Sequence, residues 1–152
     1  MFEVSHSAIA KATRTDVWNV WQKVENWPSW DGALKSATLK SGYDFKVGAP
    51  ISLELKSGQT VEVIVRELTP FRKYGNTSTG AFGETVNTFH EVEDAEDGHV
   101  KITHRITVTD LPDDKVAIFQ QAIWSGIEKG WPFAVEGVKA QAEALALQGA
   151  KA

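Results

Sequence analysis

The stretch that decides the fold is Val116–Leu145, VAIFQQAIWSGIEKGWPFAVEGVKAQAEAL. Apolar residues recur there at Val116, Phe119, Ile123, Ile127, Trp131, Ala134, Val138, Ala142 and Leu145, a stripe with the 3.6-residue period of a helix that buries one face. Leu111-Pro112 precedes it, and Asp113 or Asp114 can cap its start or complement the helix dipole. Pro132 lies inside the stripe without disturbing its phase. One long helix is expected, kinked where the proline ring meets the carbonyl four residues before it and fraying after Leu147.

Nothing upstream matches that helix in length. Phe2–Ile9 alternates Phe2, Val4, His6 and Ala8 against Glu3, Ser5, Ser7 and Ile9, as a half-buried strand does. Thr13 can cap a short helix, with Asp16 three residues on and Val17, Val20, Trp21 and Val24 at helical spacing. Pro28 disfavours helical geometry at Trp27, so Glu25–Asp31 reads as a second short turn or a tight loop. From there to Asp110 the chain reads as strands over 33–40, 50–56, 60–68, 72–79, 84–93 and 100–110. Ser57-Gly58 and the acidic run Asp94–Gly98 supply tight turns, and Thr69-Pro70 a break.

One strand, two short helices, a meander and a long helix make an α+β arrangement. A curved antiparallel sheet of six or seven strands must cover its apolar face, and only the C-terminal helix is long enough to do so. A bent sheet and a single helix leave space between them, where small-molecule sites form. At 152 residues, without linker or repeat, the whole of 1–152 is expected to be one domain.

Composition narrows the partners. The net charge is -4 with no basic stripe, which argues against nucleic acid. The chain has no cysteine, which excludes disulfides, thiolate metal sites and a Cys nucleophile, and suits a reducing compartment. No signal-like N-terminus or membrane-length apolar run is present, so a cytoplasmic location is the expectation.

Val17-Trp18 followed by Val24-Glu25-Asn26-Trp27-Pro28-Ser29-Trp30-Asp31 resembles the N-terminal signature of the polyketide cyclase/dehydrase and lipid-transport family of the START/Bet v 1-like (SRPBCC) superfamily. The similarity continues through Phe45-Lys46-Val47-Gly48, Val65–Pro70, Ile102-Thr103-His104-Arg105 and the C-terminal helix. The resemblance implies a helix-grip fold with a central cavity. Members of that family are lipid carriers, metabolite binders, aromatase/cyclases and co-chaperones, so the fold transfers further than the function.

Candidate site residues follow from strand phase. In the last strand Val100, Ile102, His104, Ile106 and Val108 share one face, and in the preceding one Val86, Thr88, His90 and Val92 do. A hairpin between them makes His90 and His104 opposite or diagonal neighbours, roughly 5 to 8 Å apart. Both are candidates for a polar anchor or a general acid/base, against the plainer reading that each hydrogen-bonds its neighbours. Tyr74 and Asn76 share a phase and can offer polar groups, while Val63 and Val65 are wall residues beside them. Trp27 and Trp30 flank Pro28 where a pocket mouth or a packed corner would lie, and Trp124, Ile127 and Trp131 lie on or near the inward stripe of the long helix. Gly126, Gly130 and Gly137 allow that helix a close approach to a ligand or to the sheet.

No metal set is expected, since a zinc site needs three or four ligands. Neither a nucleophile elbow nor a phosphate or dinucleotide loop occurs, and no cofactor is implied. Three functions remain open: a carrier of a hydrophobic small molecule (lipid, isoprenoid or aromatic), a cyclase/dehydratase acting through His104 or His90, or an interaction module without ligand.

Overall fold

The computed structural model describes residues 1–151. Alternation in the first residues yields β1 (Phe2–Ala10), with Phe2, Val4, His6, Ala8 and Ala10 on the covered side. Thr13 then closes a capping box. Its hydroxyl accepts the amide of Asp16 at 3.1 Å while the Asp16 carboxylate accepts the amide of Thr13 at 2.9 Å. That starts α1 (Arg14–Trp21), which buries Val17, Trp18, Val20 and Trp21. Val24–Ser29, with Pro28 inside, follows as 3-10 turns.

The remaining strands are β2 (Leu34–Leu39), β3 (Pro50–Leu55), β4 (Thr60–Thr69), β5 (Lys73–Thr79), β6 (Thr85–Asp94) and β7 (Val100–Thr109). All seven form one antiparallel sheet in the order β1-β7-β6-β5-β4-β3-β2. Hairpins join consecutive strands from β2 to β7. The crossing from β1 to β2, between opposite edges, is made by α1 and the 3-10 turns, which pack beneath the sheet. Gly58 at φ 94° lets the chain turn between β3 and β4.

Two sequence details gain a reason. The odd residues of β4, Val61, Val63 and Val65, face inward as expected, but pairing with β5 slips between Val65 and Glu67, and Leu68 then packs on the core instead. A bulge reverses the phase there. Phe89, an aromatic ring on the outward phase of β6, is held between the guanidinium groups of Arg66 and Arg105, at 4.7 and 3.8 Å from its centroid.

The C-terminal helix is continuous but not uniform: a 3-10 turn (Asp113–Lys115), α2 (Val116–Phe119), a π turn (Gln120–Trp124) and α3 (Ser125–Lys151). The single long helix is as expected, with Pro132 inside it, and a departure from α geometry that the stripe did not announce lies upstream in the π turn. The extra residue in that turn also shifts the stripe, so Phe119 and Trp124 are buried together, while Ile123 is partly covered and Val116 is exposed. The helix runs to Lys151, past the point after Leu147 where fraying is expected.

Ala134, Val135, Val138 and Ala142 join the main core with α1 and the strands. Phe119 and Trp124 form a second cluster with Ile106, Val108 and Phe2, whose ring lies 5.2 Å from each of the two aromatic rings. Between these anchor points Gly126 and Gly130 face open space, whereas a Cβ on Gly137 would lie 3.0 Å from Trp30.

Candidate functional site

Strand register builds a polar row across the concave side of the sheet. Tyr74 on β5 pairs with His90 on β6, His90 with His104 on β7, and His104 with His6 on β1. Paired residues share a face, so all four side chains point the same way. The Tyr74 and His90 rings stack at 4.1 Å, and His90 meets His104 edge-on at 4.6 Å. At the outer end of the row His6 Nε2 lies 3.7 Å from Glu136 Oε1 on α3, where both side chains reach solvent.

The inner half of the row sits in a shell of rings. Trp21 and Trp30 lie 5.9 and 5.5 Å from His104, and Trp27 and Phe45 pack on Tyr74 at 5.7 and 5.1 Å. Most of the space a helix-grip sheet encloses is therefore filled by the protein's own side chains. Among the described residues several polar atoms within it have no hydrogen-bond partner: Trp21 Nε1, Trp30 Nε1, Tyr74 Oη, Asn76 Oδ1, Thr88 Oγ1 and His104 Nε2. His90 Nδ1 lies 3.4 Å from the backbone oxygen of Tyr74. A carbonyl only accepts, so that contact places the proton on Nδ1 and leaves Nε2 as an acceptor.

Burial sets the protonation of the row. It lowers the His90 imidazole to about 3, partly opposed by the Tyr74 carbonyl. His104 is held well below the ordinary imidazole value by burial first, then by His90 and His6. Tyr74 is pushed well above the usual phenol value by burial and by the Asp31 carboxylate. At neutral pH all three rings are uncharged.

Beside the two histidines a pocket of about 410 Å3 remains open, between the Trp30–Ala33 loop and the stretch of α3 from Gly126 to Ala134. Trp30, His90, His104, Ile127 and Trp131 line it. Trp131 is fixed there because its Nε1–H donates to the backbone oxygen of His104 at 2.9 Å. The other sequence candidates lie elsewhere. Tyr74 and Asn76 are buried behind His90, Thr88 lies beside them, and Val63, Val65 and Ile102 belong to the main core. Trp27 is in a packed corner, its Nε1–H donating to the carbonyl of Trp21 at 2.7 Å, and Trp124 is in the second cluster.

Sequence reading missed three contributors. Asp31 and Phe133 line the pocket, and His6 completes the row. The alternation of β1 placed His6 on the covered face, but only the pairing of β1 with β7 brings it to His104. Among the described residues no group of three or more His, Cys, Asp or Glu side chains is arranged to hold a metal ion. A wider groove of about 610 Å3 lies where the start of α1 meets the β4–β5 and β6–β7 turns, and Arg14, bonded to Asp94 and to the Phe71 carbonyl, spans it.

No protein-family model matches this sequence, and no curated protein matches it. Solved structures do. The chain is similar to the protein XoxI from Bacillus cereus, with a TM-score of 0.70 at 17% identity over 97% of this chain and 99% of that one. It is similar to Thalictrum norcoclaurine synthase, solved with a transition-state analogue, with a TM-score of 0.71 at 12% identity over 98% and 96%. The protein Ara h 8.0201 matches with a TM-score of 0.57 at 20% identity over 91% and 97%. This is the Bet v 1-like helix-grip fold. In the helix-grip frame the pocket beside His90 and His104 lies between sheet and long helix, the space this fold encloses. Among the described residues no helix is long and apolar enough to cross a membrane.

Proposed function

We propose that this protein binds a small, flat apolar molecule, of aromatic size, in the pocket between Trp30, His104 and Trp131. The observation that carries this reading is the filled interior. Rings of Trp18, Trp21, Trp27, Phe45 and Tyr74 occupy the space a long acyl chain would need, and about 410 Å3 lined by rings and glycines stays open. That favours an aromatic ligand over a lipid or isoprenoid.

A second reading, a cyclase/dehydratase moving protons through His90 or His104, draws on the unpartnered Nε2 of His104. The depressed imidazole of His90 weighs against it, because an effective acid/base titrates near the working pH. The two histidines serve better as neutral hydrogen-bonding groups that orient the ligand.

Calorimetric titration with indole and with a long-chain fluorescent fatty acid tests the size reading. Indole is expected to bind once per chain, the fatty acid not at all. Gly130→Leu, which places a side chain in the open space, is expected to abolish indole binding while the protein stays folded. Tight binding of the fatty acid, or indole binding untouched by Gly130→Leu, would refute the assignment. Native mass spectrometry of the purified protein checks whether a small aromatic molecule travels with it.

A further inference from the structure

The pocket wall is uneven in charge. Trp30, Trp131 and Phe133 present rings, both imidazoles are neutral, and Asp31 supplies the one carboxylate. No lysine or arginine is among the lining residues. Asp31 Oδ1 accepts the amide of Ala33 at 3.1 Å, and among the described residues Asp31 forms no ion pair. Burial disfavours its charged form. The Ala33 amide and the field of Lys56 oppose that only in part, and Lys56 is itself exposed and outside the pocket.

A carboxylate that shares a pocket wall with rings and with no lysine or arginine has no counter-charge there. An anionic ligand would meet Asp31 with no basic residue to receive it, and a neutral one would leave the carboxylate as it is. An ammonium group would pair with Asp31 and lie within reach of the negative faces of the rings. Phe133, 74% exposed at the rim, is a large apolar ring that a bound molecule would cover.

We infer that the pocket selects an organic amine in its protonated form, the ammonium group on Asp31 and a flat apolar body among Trp30, Trp131 and Phe133. This rests on the reading of the pocket as a small-molecule site.

Three probes sharing one indole body separate charge from shape: tryptamine (cation), tryptophol (neutral) and indole-3-propionate (anion), titrated calorimetrically at pH 7. Tryptamine is expected to bind at least tenfold more tightly than tryptophol, with the acid weakest. Asp31→Asn keeps an oxygen for the Ala33 amide, and is expected to bring tryptamine down to the level of tryptophol while tryptophol itself changes less than twofold. In the wild type, raising the salt concentration is expected to weaken tryptamine alone, a measurement that needs no variant. If tryptophol or the acid binds as tightly as tryptamine, or if Asp31→Asn keeps the preference, the amine inference fails and the pocket assignment stands. If no probe binds, both fail.

Discussion

His90 and His104 face each other on β6 and β7, and their neutrality governs how the fold responds to acid. In the unfolded chain an imidazole takes a proton below about pH 6.5. In the fold His90 resists protonation until about 3. The unfolded state therefore binds more protons in that window, so stability is complete above pH 6.5 and is lost as pH falls, at about 1.4 kcal/mol per pH unit for each such histidine. The raised carboxyl of Asp31 acts in the opposite sense, because the folded state takes its proton first. Denaturant unfolding between pH 7 and 5 is expected to show a shallower loss in His90→Gln than in wild type, and equal slopes would contradict the burial argument. The sequence made this pair legible because one short acidic turn joins the two strands and each strand's phase is clean. It did not reveal Asp31, whose loop carries no periodicity, or the place of His6, since register between strands nearly a whole chain apart is fixed by the assembled sheet and not by local pattern.

The long helix is held over the sheet unevenly, and its glycines make that measurable. At Gly126 and Gly130 a Cβ meets nothing, so alanine there is expected to raise stability by up to about 1 kcal/mol through helix propensity while narrowing the pocket. At Gly137 the same change drives a methyl group to 3.0 Å from Trp30, and a loss of about 1 to 3 kcal/mol is expected. Opposite signs along one helix, measured by thermal or denaturant unfolding, are the signature of this arrangement. Trp131→Phe removes the hydrogen bond to His104 and keeps most of the ring, for a cost of about 1 kcal/mol by the same measurements. The helix as an element was legible from its stripe. Its π turn was not, because placing both Phe119 and Trp124 against Phe2 is a packing solution in three dimensions that a 3.6-residue template reads as a phase error.

At the scale of the whole molecule, element order and strand alternation carried the helix-grip fold, since a sheet with one long helix has few ways to hide its apolar face. How much cavity remains inside was not legible. Four tryptophans between positions 18 and 30 were visible as an oddity of composition, but whether such rings line a cavity or fill it depends on side-chain direction across α1 and the 3-10 turns. They fill most of it. Trp30 stands at the border, touching Trp27 and His104 on its packed side and the pocket on the other. Its indole is thus an optical probe already installed at the boundary, and with Trp27 only 6.1 Å away, excitation is shared between the two. A shift in near-ultraviolet emission on arrival of a non-fluorescent guest is the expected readout, with no attached label.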